Sequence, residues 1–90
     1  MESVWVFNGV GATFPAAIFS DREKAEAWIA RHGLSGTLTR YPIDEPIYEW
    51  AIVRGFFKPT REDQSGAAFI QRFSSASQEH YHYEAGGEPT

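Results

Sequence analysis

The sequence predicts a small α+β domain: a mostly antiparallel sheet of about four strands with two to three helices packed on one face. Three observations carry that prediction. Short β-branched and aromatic runs recur along the chain, beginning with Val4-Trp5-Val6-Phe7. A helix start, an apolar stripe and a glycine stop coincide between Ser20 and Gly33. The stretch Glu79 to Glu84 alternates with a period of two, which is how a strand is read.

Val4 to Phe7 is wholly apolar and belongs near the centre of the sheet. Asn8-Gly9-Val10-Gly11-Ala12 follows, rich in residues that accept positive φ, and reads as a hairpin loop. The chain returns through Thr13 to Phe19, with Pro15 placing that end at a bulge or an unpaired edge. Ser20-Asp21-Arg22-Glu23 has the form of a capping box, Ser at the cap and Glu three residues on. The helix it opens runs to about His32, burying Ala25, Trp28, Ile29 and His32. Gly33 supplies a left-handed exit and Leu34 folds back on the last turn.

Gly36 to Ile43 is the third strand, with Thr37, Thr39, Tyr41 and Ile43 on one face and Leu38 and Arg40 on the other. Pro42 ends it or marks an edge. The connection from second strand to third is compatible with a βαβ crossover. Asp44-Glu45-Pro46 opens a second helix, with Asp as cap and Ile47, Trp50 and Ala51 as its inner stripe. Gly55 closes it, and Phe56 and Phe57 are expected on the core. Lys58 to Gln64 is a surface loop. Ser65 to Phe73 predicts a short third helix with Phe69, Ile70 and Phe73 inward. The final strand spans about Ser77 to Glu84. Residues 1–84 form one domain on this reading, and 85–90, with two Gly and a Pro, form a flexible tail.

Composition narrows the functional classes. The 90 residues carry a net charge of −4, and the 8 Lys and Arg are scattered. Nucleic acid is therefore not the expected partner, since phosphate neutralisation needs a basic stripe. No cysteine is present, which rules out disulfides and a thiolate zinc site. The N-terminus lacks the pattern of a signal peptide, and no apolar run is long enough to span a bilayer. The expectation is a cytoplasmic protein with no membrane partner. Aromatic residues, at 16%, exceed what so small a core is expected to hide, and rings left at the surface suit a protein-binding patch.

Several strings bear a family likeness. Val4-Trp5-Val6-Phe7-x-Gly9 is followed by Phe19-Ser20-x-x-Glu23-Lys24-Ala25-Glu26-x-Trp28-Ile29. Leu34-Ser35-Gly36-Thr37-Leu38-Thr39-x-Tyr41-Pro42, Tyr48-x-Trp50-Ala51 and Gly55-x-Phe57 come next, then Phe73-x-Ser75-Ala76-Ser77-Gln78-Glu79-His80-Tyr81-His82-Tyr83-Glu84. Together they resemble a small bacterial domain family of unknown function, over nearly the whole chain. The resemblance implies a bacterial single-domain protein and transfers no activity, cofactor or catalytic residue.

The chemistry-bearing residues concentrate at the C-terminal strand. Alternation puts His80, His82 and Glu84 on one face and Glu79, Tyr81 and Tyr83 on the other. A His-x-His pair sets two imidazoles roughly 6–7 Å apart along a strand, a spacing open to metal capture. Glu84, or Glu79 and His32, would be the third ligand. The competing reading is an ordinary wet sheet face. His80 or His82 beside Glu79, Glu84 or Asp44 would also make a proton-handling pair. Ser74, Ser75 and Ser77 lie close by in sequence, without a nucleophile motif. Gly9-Val10-Gly11 imitates the start of a dinucleotide loop, but a strand rather than a helix follows, so no cofactor is expected.

The leading expectation is a non-enzymatic interaction or accessory module, such as one of immunity type, that docks on another protein. Its binding residues are His80, His82, Glu84, Tyr81, Tyr83 and Trp50; a homodimer through a free sheet edge is a further expected arrangement. The alternative is a small metal-dependent or acid–base enzyme using His80, His82 and a carboxylate.

Overall fold

A computed structural model describes residues 2–90. Four strands, β1 (Ser3–Gly9), β2 (Ala17–Phe19), β3 (Gly36–Pro42) and β4 (His80–Tyr83), form one sheet in the order β2-β1-β3-β4. Every neighbouring pair is antiparallel. The apolar β1 is interior, as its composition predicts. Because β2 and β3 both run against β1, which lies between them, they are parallel to each other. The link between them through α1 (Arg22–His32) is therefore a crossover over β1.

The helix α1 covers one face of the sheet. Trp5 and Phe7 of β1, Leu38 of β3 and Tyr83 of β4 meet Ala25 and Ile29 of the helix in the buried core. Phe19, Trp28, Leu34 and Tyr81 pack around that centre. The Trp28 ring meets Phe7 edge-on at 5.7 Å and Phe19 at 5.5 Å. His32, expected in the same stripe, is exposed, with its ring 5.9 Å from that of Trp28. The eleven-residue helix ends at His32, in the last turn before the Gly33 exit, beyond its last buried residue, Ile29.

The α1 start differs from the capping box by one residue. Asp21, not Ser20, is the cap: its backbone is extended and its Oδ1 accepts from the Lys24 amide at 2.8 Å. The stop is as expected. Gly33 has φ 62°, and the Leu34 amide reaches back to the Ile29 carbonyl at 3.0 Å.

β2 is shorter than the expected Thr13–Phe19: hydrogen bonding to β1 begins just past Pro15, where the Ala16 amide donates to the Phe7 carbonyl at 2.9 Å, and the strand itself starts at Ala17. β4 is likewise confined to His80–Tyr83, because the Gln78 amide closes a turn onto the Ser75 carbonyl. α2 (Ile47–Val53) is capped by Pro46 without a side-chain bond. Asp44 sits instead at φ 63° in the turn after β3. The helix buries Ala51, as predicted, together with Tyr48, while the predicted Ile47 and Trp50 are only half-buried.

A 3₁₀ turn (Glu62–Ser65) and α3 (Ala67–Ile70) follow. Phe57 does not join the sheet core. It stacks on Phe69 at 5.6 Å and meets Phe73 at 4.9 Å, with Tyr48 edge-on to Phe73 at 5.4 Å. Phe56 is 53% exposed and lies against Trp50. The chain thus has two apolar centres, one under α1 and one formed by α2, α3 and the loop between them. The molecule measures 46 × 29 × 19 Å, with a radius of gyration of 14.7 Å. A compact chain of this length would give about 12 Å.

The segment after β4 turns back at Gly86, whose amide donates to the Leu34 carbonyl at 2.8 Å. Thr90 then exchanges both backbone hydrogen bonds with His82, at 2.9 and 3.1 Å. Residues 85–90, read from sequence as a tail, lie along the outer edge of β4 at that point.

Candidate functional site

Register places the sheet's second face in cross-strand rows. Ile18, Val6, Thr39 and His80 form one row; Asn8, Thr37 and His82 form the next; Val4 and Tyr41 form a third. None of these belongs to the core cluster. Val4, Val6, Thr37, Thr39 and Tyr41 are half-buried, and Ile18 is 66% exposed. This face is the open one.

His80 and His82 stand on it together, as the alternation requires. Their ring centroids are 5.2 Å apart and the planes nearly perpendicular, at 88°. His80 Nδ1 lies 2.7 Å from the Gln78 carbonyl, and His82 Nδ1 lies 3.3 Å from Thr37 Oγ1. The partners of the rings are thus a carbonyl and a hydroxyl, not a carboxylate of the kind an acid–base pair would use. Glu84, just past the strand, lines a shallow recess of about 530 Å³ with His82, Asn8 and Thr37. His32 stands on the helix-covered side. No cluster of three or more potential metal-ligating side chains occurs among the described residues.

Tyr81 and Tyr83 point the other way. Tyr83 is buried, and its hydroxyl donates to Glu26 Oε2 at 2.6 Å. Burial pushes its phenol well above the ordinary tyrosine range, and the Glu26 carboxylate adds to the effect. Tyr81 lies beneath the Arg22 guanidinium, 3.7 Å from ring to Cζ, and donates to Glu79 Oε2 at 2.7 Å. That hydrogen bond, with a second from Arg40, holds the Glu79 carboxyl below the usual carboxylate range.

Trp50 belongs to a third place. A groove of about 430 Å³ runs between the Pro42 end of the sheet and α2; Arg40, Glu79, Trp50, Arg54 and Phe56 are among its lining residues. The local chain makes this arrangement. Gly55, at φ 77°, reverses the backbone after α2, and the Phe56 amide returns to the Ala51 carbonyl at 2.8 Å. Phe56 is thereby brought back to Trp50, 5.5 Å between rings. Arg54 lies 5.0 Å over Trp50 and is held by Glu45 Oε2 at 3.2 Å. Across the groove, Arg40 donates to Ser3 Oγ at 2.8 Å and to Glu79 Oε1 at 3.3 Å.

The six residues singled out from sequence therefore fall in three locations. His80 and His82 share the open face with Glu84 nearby, Tyr81 and Tyr83 serve the covered face, and Trp50 stands in the groove. Sequence reading missed Arg40 and Arg54, which lie among scattered cations with no motif to mark them. It also missed Gln78. Its buried side chain donates to the Arg40 carbonyl at 3.2 Å, while its own carbonyl fixes His80. A polar residue inside the Ser-rich approach to β4 was the one available signal.

A four-stranded antiparallel sheet, covered by helix on one side and open on the other, defines a small α+β domain. Among the described residues no helix is long and apolar enough to cross a membrane. The chain belongs to the family described as Domain of unknown function (DUF7710), whose model matches residues 4–89. No curated protein and no solved structure matches it.

Proposed function

We propose that the chain is a non-enzymatic protein-recognition module whose docking site is the groove beside Trp50. The observation that carries this is the convergence of two arginines and two aromatic rings on one concavity of about 430 Å³. Trp and Arg dominate interface hot spots, and pockets of a few hundred Å³ are the usual size for an inserted group. Each guanidinium has five N–H donors. Arg40 and Arg54 spend two and one of these on Ser3, Glu79 and Glu45. The remainder suit an incoming carboxylate, which arginine binds in bidentate fashion. The occupant is therefore an extended segment of another protein, with an acidic side chain next to an apolar anchor that rests on Trp50 and Phe56. The role is accessory: the module holds a partner rather than transforming a substrate.

Selection from a random peptide display library tests the reading. Enriched peptides are expected to pair an acidic with an apolar residue and to change the tryptophan fluorescence on titration. Trp50→Ala and Arg54→Ala should each weaken binding at least tenfold, about 1.4 kcal/mol, while Ile18→Ala on the opposite face leaves it unchanged. Peptides that bind Trp50→Ala as well as the parent would overturn the assignment.

A further inference from the structure

We infer that His80 and His82 form a two-imidazole chelate for a divalent first-row transition ion, copper, nickel or zinc, on the open face of the sheet. Neither imidazole lines the groove beside Trp50. Three features of the pair point to it.

The first is separation. A metal–nitrogen bond of about 2.1 Å, extended by roughly 1.1 Å to the ring centre, puts two imidazole centroids about 5 Å apart around one tetrahedral ion. The observed separation is 5.2 Å. The register sets the pair side by side: Thr39 faces His80 and Thr37 faces His82, so both rings rise from the same side of β4 with Tyr81 turned away.

The second is the state of the ring nitrogens. The Gln78 carbonyl can only accept, so at 2.7 Å the neutral His80 ring carries its proton on Nδ1 and presents a lone pair at Nε2. His82 Nδ1 is likewise taken, by Thr37 Oγ1. Each ring therefore has one nitrogen tied to the protein and the other, Nε2, without a protein partner among the described residues. At His80 this is the outer-shell arrangement that fixes tautomer and orientation in histidine metal sites, and at His82 the hydroxyl, which can donate or accept, fixes the ring's orientation.

The third is the rigidity of the support. Gln78 is buried and bonded to the Arg40 carbonyl, which fixes the carbonyl that orients His80. His82 is clamped on its outer edge by Thr90 and on its inner side by β3. The ligand atoms lie on a paired strand rather than on a loop. Two neutral nitrogens select an imidazole-preferring ion over magnesium or calcium, and water completes the coordination.

The test titrates the untagged full chain with Cu²⁺, following heat and electron paramagnetic resonance. One ion per chain is expected, with hyperfine splitting from two nitrogens. His82→Ala and His80→Gln should each reduce affinity at least tenfold, while His32→Ala, on the covered side, leaves it unchanged. Circular dichroism on each variant confirms that the fold persists; His82 is exposed, so its replacement is the safer of the two. Binding by the His82→Ala variant within twofold of the parent, loss of the ion in His32→Ala, or one ion per two chains would each overturn the assignment.

Discussion

Tyr83 shows how far a side chain's role depends on what covers it. From sequence it belongs to a docking surface; in the fold its ring is core and its hydroxyl is tied to Glu26. Glu26 Oε2 also accepts from Arg22 Nε at 3.3 Å, so the carboxylate keeps a partner if the phenol is removed. Tyr83→Phe should therefore cost about 1.5–2 kcal/mol, the lower part of the range for a hydrogen bond to a charged group. In a domain of this size that lowers Tm by roughly 5–10 °C, measurable by calorimetry. The pH dependence has a definite sign. The folded-state phenol titrates above its unfolded value of about 10, so its stabilisation is intact below pH ~10 and falls as the pH rises further. The Tyr83→Phe variant should lose less stability between neutral pH and pH 11 than the parent. Glu79 acts at the other end. Its depressed carboxyl contributes above the unfolded carboxylate range and loses that contribution as acid protonates it.

At the scale of elements, local signals were legible where one residue type could do the job and ambiguous where two could. The stop of α1 needed a left-handed residue, and Gly33 was the one candidate. The start offered Ser20 and Asp21, both good caps, and the chain uses the second because Asp21 holds the extended backbone that aims its oxygen at the Lys24 amide. Asp21→Ala should accordingly destabilise by about 1 kcal/mol, with Ser20→Ala near neutral in the same urea titration. A capping box centred on Ser20 would give the reverse order. The faces of β4 were legible for a simpler reason: a two-residue period leaves only one way to sort His80, Tyr81, His82 and Tyr83. What covers each face was not legible, because α1 arrives from fifty residues upstream in sequence and could have packed on either side. Asp44 failed as a cap for the same kind of reason. Its left-handed backbone, at φ 63°, serves the turn out of β3, and Pro46 takes the cap position of α2.

The molecule as a whole is longer than its size requires because its aromatic residues are shared between two centres. That division could not be read from sequence: Tyr48, Phe57, Phe69 and Phe73 have the same composition as a sheet core, and only long-range packing assigns them elsewhere. The second centre has no sheet beneath it. It leans on short helices and on Gln64, whose Oε1 accepts from the Thr60 and Arg61 amides and whose carbonyl accepts from Tyr48 at 2.7 Å. Opening of residues 47–73 should therefore cost less free energy than opening of the sheet. Native-state hydrogen exchange should show the α2 amides exchanging at least tenfold faster than those of β1 and β3. Equal protection in both regions would mean the two centres unfold as one.

Gly36 governs how firmly all of this is indexed. It faces Gly9 across β1 and β3, with Phe7 Cζ only 2.8 Å from where a β-carbon would sit and the Asn8 carbonyl closer still. Sliding β3 along β1 by one repeat of the pleat would drive Leu38 into that space, and the ring and carbonyl would refuse it. The two strands therefore behave as a keyed shaft rather than a pair of rails. Whatever lands on the threonines and imidazoles of the open face meets a lattice whose spacing a single hydrogen atom has locked.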